Sequence, residues 1–246
     1  MPRQKLGQHF LIKGSVLERI AAAACPPGTQ LAIEIGPGRG ALTEKLLKRA
    51  ARVVAIELDP YLVEHLRRKF ASEPRLEVIH GDVLKTDLAR FPLAVIAGNL
   101  PYYITSPILE KTARLHYQRA LFLVQKEVAE RLAAAPGSRE YGYLTVHISL
   151  FAEIRRLFDV KPSAFHPPPK VDSAVVRLEP RLPPPDIAPD AFLRFAAQCF
   201  RQKRKTLRNN LAAIFGKERV DAWPEAGLRA EQISLEWLLE IYRRTL

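Results

Sequence analysis

The sequence predicts an α/β fold, in which a doubly wound, Rossmann-like parallel sheet is followed by a small all-α C-terminal domain. Over the first two-thirds of the 246 residues, short apolar runs alternate with helical patterns. Strands that are apolar throughout and separated by helices are typical of a parallel sheet with both faces covered. After the proline-rich stretch 179–185, a composition typical of a semi-rigid linker, only helical patterns occur. We therefore expect one domain over residues 1–181 and a helical domain over residues 186–246.

The spacing of apolar residues predicts the individual elements. Apolar runs predict strands over residues 31–35, 53–57, 76–79, 93–97 and 120–124, and a later strand over 171–178. Helical periodicity predicts helices over about residues 42–48, 61–70, 107–116 and 127–134. The pattern over residues 144–151 fits either a strand or a buried helix, so both assignments stay open.

Composition restricts the classes of partner and compartment. Lys and Arg number 38 against 26 Asp and Glu, and the net charge of +12 favours a polyanionic partner, nucleic acid first. Cys25 and Cys199 are the only cysteines and lie far apart, so we expect no zinc site or other metal, no disulfide and a reducing compartment. No apolar run approaches the roughly 20 residues of a membrane span. We expect a cytoplasmic monomer.

Two motifs at the ends of successive predicted strands indicate a nucleotide-like cofactor. Residues 36–40, Gly-Pro-Gly-Arg-Gly, form a glycine turn between a strand and a helix, where backbone N–H groups can approach a ligand closely. Glu57 ends the next strand, about 20 residues further on, where an acid can accept ribose hydroxyls. Both features fit an NAD dehydrogenase and an S-adenosylmethionine (SAM) methyltransferase equally.

The third and fourth strand ends favour methyl transfer. Asp82 can accept a hydrogen bond from the adenine amine of a nucleoside cofactor. In Asn99-Leu100-Pro101-Tyr102, the Asn99 side-chain oxygen and the Leu100 carbonyl can hold one exocyclic amine while Tyr102 stacks on its base. Two acceptors would make that nitrogen pyramidal and point its lone pair at a sulfonium methyl, which is catalysis by orientation and placed dipoles. No general base is needed before the transfer.

These motifs belong to an ordered set that resembles the ribosomal RNA adenine N6-dimethyltransferases, specifically those of the small subunit, nearly from end to end. The matching stretches are residues 7–11, 34–43, 57–59, 81–82, 99–102, 125–128, 141–142, 163–173 and 204–209. The resemblance implies a Rossmann-like, SAM-dependent methyltransferase sheet. It also implies that four SAM molecules dimethylate two adjacent adenines in the 3′-terminal hairpin loop of small-subunit rRNA, with S-adenosylhomocysteine as the product.

The resemblance also implies roles for individual residues. The cofactor contacts it implies are His9, Leu11, Gly36, Glu57, Asp82 and Asn99. The target-adenine site it implies is formed by Asn99, Leu100, Pro101, Tyr102 and Phe165, with Phe165 covering the base face opposite Tyr102. The family often has Asn where this chain has His9, and a His donor can replace an Asn donor.

A basic segment near the C-terminus predicts an RNA-binding surface. Residues 200–211 fit an amphipathic helix, with Phe200, Leu207, Leu211 and Ile214 on the apolar stripe. The basic stripe consists of Arg201, Arg204, Lys205 and Arg208. Like charges at this spacing repel, so a polyanion such as the rRNA of the assembling small subunit would stabilise them.

Three alternatives to the small-subunit enzyme stay open. The protein could methylate a different adenine, in large-subunit rRNA or in DNA. It could instead act chiefly as a ribosome-assembly or RNA-binding factor with dispensable catalysis. The NAD dehydrogenase hypothesis explains the glycine turn and Glu57, but neither residues 99–102 nor the basic segment.

Overall fold

The structure is a computed structural model that describes residues 9–184 and 186–246. Gly7 and Gln8, which belong to the first matching stretch, lie outside the described residues. The chain divides into two compact units. The first holds the chain up to Ala129 together with Ile154–Pro180, and the second holds Glu130–Glu153 and Arg181–Leu246.

The described part of the chain contains nine strands and ten α-helices. The strands are β1 (Phe10–Leu11), β2 (Leu31–Ile35), β3 (Arg52–Glu57), β4 (Leu76–His80), β5 (Val95–Asn99), β6 (Arg119–Gln125), β7 (Ala152–Val160), β8 (Phe165–His166) and β9 (Ser173–Pro180). The helices are α1 (Gly14–Ala24), α2 (Ala41–Leu47), α3 (Pro60–Lys69), α4 (Thr105–Ala113), α5 (Lys126–Leu132), α6 (Tyr143–Phe151), α7 (Pro189–Cys199), α8 (Leu207–Phe215), α9 (Lys217–Asp221) and α10 (Leu235–Arg243). None of these helices is long and apolar enough to cross a bilayer.

The main sheet has seven strands in the order β4-β3-β2-β5-β6-β9-β7. Neighbours from β4 to β6 pair in parallel, and β9 runs antiparallel to β6. The chain order reverses between β2 and β5, so the carboxyl ends of these two strands form the point of an open α/β sheet where ligands bind. This arrangement confirms the predicted doubly wound, Rossmann-like fold.

The five early strands are confirmed, but the position of β5 differs from the prediction of 93–97. Leu93 is 43% exposed, whereas Val95, Ile96 and Ala97 are at most 2% exposed, so the strand starts at Val95. It then continues through Asn99, whose strand partner is Leu123 on β6. The functional Asn is therefore the last residue of a paired strand, which fixes its backbone.

Gly98 allows β5 to approach β2 closely beside the site. A Cβ atom at Gly98 would lie 2.5 Å from the carbonyl oxygen of Ile35, well inside the normal contact distance. A larger residue would push the two strands apart where their carboxyl ends meet.

The second unit differs from the predicted C-terminal domain by one segment. Residues 130–153 were expected in the first domain, yet α6 packs against α7 and α10 of the second unit. Helix α6 is buried on nearly every side, and the side chains of Leu144–Ile148 are all buried from solvent. Because the helix has no face that suits solvent, it packs among the other helices of the second unit. This helix also settles the ambiguous pattern over residues 144–151.

The predicted amphipathic helix over residues 200–211 is wrong. Helix α7 ends at Cys199, and α8 begins only at Leu207. The buried Asn210 explains the break, because its side chain accepts from the Gln202 N–H at 3.2 Å and donates to the Cys199 carbonyl at 3.0 Å. These bonds shape residues 200–206 into a loop. Leu207 and Leu211 are fully buried as expected, but Ile214 is 50% exposed and does not belong to the apolar stripe.

Candidate active site

A cavity of about 280 Å³ lies at the carboxyl ends of β2 and β5. Eight of the predicted site residues line it: His9, Leu11, Gly36, Glu57, Asn99, Leu100, Pro101 and Tyr102. They lie in or next to β1, the glycine turn, β3 and β5, and the main-sheet topology brings the last three to one edge. The structure therefore assembles into one pocket residues that lie more than 90 positions apart along the chain.

A smaller cavity of about 60 Å³ adjoins the first and contains Asp82. Gly36, Glu57 and Pro101 line both cavities, so the two cavities are neighbours. The other walls of the smaller cavity are mostly apolar and include Val83. Mostly apolar walls with the Asp82 carboxylate suit a flat heteroaromatic base that carries an exocyclic amine.

Glu57 is held rigidly at the junction of the two cavities. Its Oε2 accepts from the Gly38 N–H at 3.1 Å, and its Oε1 accepts from the N–H groups of Leu58 and Asp59 at 2.9 and 3.0 Å. Burial raises the pKa of the Glu57 carboxyl, although these three hydrogen bonds oppose the shift. A carboxylate has about four acceptor positions, so in this geometry one position on Oε2 is left for a ligand hydroxyl.

The glycine turn adopts backbone angles that residues other than glycine would adopt only with strain. Gly36, Gly38 and Gly40 have φ values of 67°, 56° and 79°. A Cβ at Gly38 would also lie 3.0 Å from the Phe10 ring of β1. The turn therefore packs against β1 and presents its backbone to the cavity.

Glu34 lines the larger cavity and was missed as a site residue. Its side chain is 1% exposed, and the Thr43 hydroxyl donates to its Oε2 at 2.6 Å. Burial raises the pKa of the Glu34 carboxyl to about 8, an effect that the Thr43 hydrogen bond reduces and the Glu57 charge reinforces. An acid inside the otherwise apolar strand β2 is the sequence signal that could have identified it.

The amide of Asn99 is oriented by the main chain of His9. Asn99 Nδ2 donates to the His9 carbonyl oxygen at 2.9 Å. Leu100 N–H donates to the Leu123 carbonyl oxygen at 3.1 Å. Within residues 9–184 and 186–246, neither Asn99 Oδ1 nor the Leu100 carbonyl oxygen accepts a hydrogen bond. The site thus offers two neighbouring acceptors to a ligand.

Tyr102 and His9 place two rings together at the cavity wall. The Tyr102 hydroxyl and the buried Ser173 hydroxyl lie 2.9 Å apart, and burial raises the pKa of Tyr102. The His9 ring centroid lies 5.8 Å from that of Tyr102, and His9 Nδ1 donates to the Pro167 carbonyl at 2.8 Å. Ser173 therefore fixes the position of the Tyr102 ring.

Phe165 does not lie in the cavity, contrary to expectation. Its side chain is 3% exposed and packs in the apolar core with Leu11, Leu17 and Ile20. The pairing of β1 with β8 explains this, because Phe165 faces Leu11 while the next residue, His166, faces Phe10. Alternation along the strand turns His166 toward the cavity that it lines.

The predicted RNA-binding residues belong to the second unit. Arg201, Arg204 and Lys205 are exposed on the loop between α7 and α8, and none of them forms an ion pair within the described part of the chain. Arg208 lies in the first turn of α8, and its Nε is 2.5 Å from the Asp221 carboxylate. Three of the four charges are therefore available to a polyanion.

Comparison with known proteins identifies the family. The model of the family described as ribosomal RNA adenine dimethylase matches residues 2–241. The chain belongs to the ribosomal RNA adenine dimethylase family. It is accordingly a methyltransferase.

Relatives within the dimethylase family cover nearly the whole chain. Two proteins called ribosomal RNA small subunit methyltransferase A, from Acidobacterium capsulatum and Pseudomonas aeruginosa, are each 43% identical to it. The matches span 98% and 95% of this chain and 90% of each relative.

Solved structures of dimethylase relatives share the fold. The crystal structure of a dimethyladenosine transferase from Plasmodium falciparum matches with a TM-score of 0.80 and 27% identity, over 96% of this chain and 98% of that one. The 23S rRNA methyltransferase ErmE matches with a TM-score of 0.73 and 30% identity, over 94% of this chain and 98% of that one.

Proposed function

We propose that this protein transfers methyl groups from SAM to the N6 amines of two adjacent adenines in the 3′-terminal hairpin loop of small-subunit rRNA. The observation that carries the proposal is a pair of hydrogen-bond acceptors beside the Tyr102 ring, Asn99 Oδ1 and the Leu100 carbonyl oxygen. Neither accepts a hydrogen bond from a donor in the described residues. This arrangement suits an exocyclic amine on a flat base. The relatives named for the small subunit, at 43% identity over most of the chain, support the choice of RNA.

The residues of the two cavities fit the charges and shape of SAM. The smaller cavity, with Asp82 opposite apolar walls, would hold the adenine ring, and the one remaining acceptor position of Glu57 would take a ribose hydroxyl. When bound, SAM supplies a methyl group on a positively charged sulfur. Asp82 would accept from the adenine amine, and Glu57 would provide negative charge for the cationic groups of SAM.

Asn99 and Leu100 would activate the target amine by orienting it. An adenine amine is a weak nucleophile because its lone pair is delocalised into the ring. Two acceptors that bind its two N–H groups favour a pyramidal nitrogen, whose lone pair is then available for the incoming methyl carbon. The amine becomes acidic only once alkylated, so its proton leaves to water afterwards and no residue acts as a base before the transfer.

Residues outside the acceptor pair would hold the base and the RNA. Tyr102, fixed by Ser173, would stack on one face of the flipped adenine, as is usual for unstacked RNA bases. Arg201, Arg204 and Lys205 would bind phosphates of the assembling small subunit. We propose that the protein works as a monomer in the cytoplasm and that the reaction requires no metal.

The decisive experiment supplies labelled SAM to small subunits that lack the modification and maps the modified adenines by mass spectrometry. We expect two adjacent N6,N6-dimethyladenines in the 3′-terminal loop. Purified large subunits and DNA serve as competing substrates, because ErmE acts on 23S rRNA and has a similar fold. Label in large-subunit RNA or in DNA alone would refute the small-subunit assignment.

A second experiment separates an enzyme from an assembly factor. The Asn99→Ala variant should bind small subunits as well as the wild type does but transfer methyl groups about 10²- to 10³-fold more slowly. If this variant turned over as fast as the wild type, Asn99 would have no role in the mechanism. If wild-type protein bound subunits but never methylated them, a role in assembly alone would be the better description.

A further inference from the structure

Arg39 stands apart from the other residues that line the two cavities because of its charge. It is the only lysine or arginine among the described residues that line either cavity. The structure gives it no ion pair with any carboxylate in residues 9–184 and 186–246. The same cavity contains two buried carboxylates, Glu34 and Glu57, and neither is bonded to Arg39. An unpaired guanidinium at a negatively charged pocket calls for a ligand anion.

The guanidinium is positioned rather than free in solvent. Arg39 lies between Gly38 and Gly40, whose positive φ angles define the turn that carries it. Its guanidinium carbon lies 4.6 Å above the centre of the Phe10 ring, and Phe10 also lines the cavity. Stacking on an aromatic ring leaves the edge N–H donors of a guanidinium available for a planar anion.

The distribution of charge between the cavities indicates which anion binds. On the proposed function, the smaller cavity with Asp82 takes the adenine ring, so the larger cavity is left for the amino-acid end of SAM. That end carries an ammonium and a carboxylate. Glu57 can serve only a cation or a hydroxyl donor, and Arg39, as the one lysine or arginine among the described lining residues, suits a carboxylate.

We propose that Arg39 binds the α-carboxylate of the methionine end of SAM through the edge of its guanidinium. This inference rests on the proposed use of SAM as the methyl donor. It makes Arg39 a specificity-determining residue, because it would distinguish intact SAM from sulfonium or thioether nucleosides that lack the carboxylate. A phosphate of the RNA is the competing anion, and the experiment below distinguishes the two.

The test compares two ligands by isothermal titration calorimetry without RNA. One is S-adenosylhomocysteine, and the other is its decarboxylated analogue, which keeps the amine and the nucleoside. For wild-type protein, we expect the analogue to bind about 10- to 100-fold more weakly, as for the loss of a hydrogen-bonded charge pair. Arg39→Leu should weaken the binding of S-adenosylhomocysteine by a similar factor and leave the affinity for the analogue unchanged. Arg39→Lys should restore part of the lost affinity.

Controls separate this role from a general effect of charge or folding. Lys48→Leu removes an exposed cation at the other end of α2 and should change neither affinity. Thermal unfolding of Arg39→Leu should match the wild type, because this side chain is exposed.

Several results would overturn the inference. If Arg39→Leu lost the same factor of affinity for both ligands, Arg39 would not recognise the carboxylate. Unchanged binding of S-adenosylhomocysteine with a raised KM for RNA would assign Arg39 to a phosphate instead. If wild-type protein bound neither ligand and SAM failed as a methyl donor, the proposed use of SAM itself would be refuted.

Discussion

At the residue scale, the Asn99 carboxamide divides its two polar atoms between the fold and the substrate. Its Nδ2 binds the His9 carbonyl at 2.9 Å, which leaves Oδ1 as the atom presented to a ligand. An isolated amide could turn over and present its donor instead, which would repel an amine. The contact with His9 therefore selects the productive orientation.

Replacement of Asn99 should affect the transfer step far more than cofactor binding. We expect Asn99→Ala to lower kcat by about 10²- to 10³-fold, the range observed when one placed polar group is removed from a catalytic site. The affinity for S-adenosylhomocysteine should change by less than about 10-fold, because the other cofactor contacts remain. Single-turnover methylation and calorimetry measure the two effects. Asn209→Ala, an exposed residue on α8, is the matched control and should change neither.

Glu34 should make stability depend on pH. Its pKa is raised from 4.5 to about 8 in the folded protein, so its contribution to stability is complete below pH 4.5 and is lost as the pH rises through about 8. Glu34→Gln should remove this loss and make the variant relatively more stable at pH 9 than at pH 5. The expected change is on the order of 1 kcal/mol or more, since one pKa unit corresponds to about 1.4 kcal/mol.

Denaturant unfolding of wild type and Glu34→Gln between pH 5 and pH 9 measures this difference. Glu64→Gln, which alters an exposed glutamate on α3, serves as the control and should follow the wild-type curve. Parallel curves for wild type and Glu34→Gln would mean that Glu34 is ionised in the folded protein throughout this range.

At the element scale, the close approach of β2 and β5 positions the site. The glycine turn follows β2 and the acceptor pair ends β5, so the separation of these strands sets the distance between cofactor and substrate residues. At Gly98 the two strands approach closely, because no side chain intervenes and a Cβ atom there would meet the Ile35 carbonyl oxygen.

Gly98→Ala should therefore damage both stability and catalysis. The added Cβ would lie 2.5 Å from the Ile35 carbonyl, and relief of that clash requires a backbone shift. We expect a loss of about 1–3 kcal/mol in the free energy of unfolding, with a lower kcat in the folded fraction. Gly14→Ala is the control, because a Cβ there meets nothing within 4 Å. Wild-type stability in Gly98→Ala would show that the strands can separate at no cost.

The elements also show which features a sequence can predict. Strands such as β2 were predictable because their burial on both faces leaves a continuous apolar run. Edge strand β7 was missed because only its two end residues are buried and its interior carries charges such as Arg155 and Arg156. The pairing of β1 with β8 was also missed, since two-residue strands leave no pattern, and this pairing is what turns Phe165 into the core.

The site was largely predictable where the residues end strands of a parallel sheet. Glu57, Asp82 and Asn99 could be grouped because the carboxyl ends of such strands share one edge. For the basic segment over residues 200–211, the sequence predicted the positive charge but not the secondary structure. Periodicity alone cannot show that Asn210 would bond back to Cys199 and Gln202 and interrupt the helix.

At the scale of the whole molecule, a net charge of +12 should make RNA binding strongly dependent on salt. Arg204→Ala should reduce the slope of log KM for small subunits against log salt concentration by about 1, the value for one phosphate contact. Arg208→Ala should reduce it less, because Asp221 already neutralises that guanidinium. Methylation rates at several salt concentrations measure both slopes. A larger effect for Arg208 than for Arg204 would contradict the proposed RNA-binding loop.

The bond between Asn99 and His9 has a consequence for how such proteins can diverge. The acceptor at position 9 is a main-chain oxygen, and every amino acid supplies that atom. Substitution at this position can therefore alter the ring that faces Tyr102 without removing the group that orients the amide. Position 9 is thus a place where evolution can adjust the pocket wall while the chemistry of the amide stays constant.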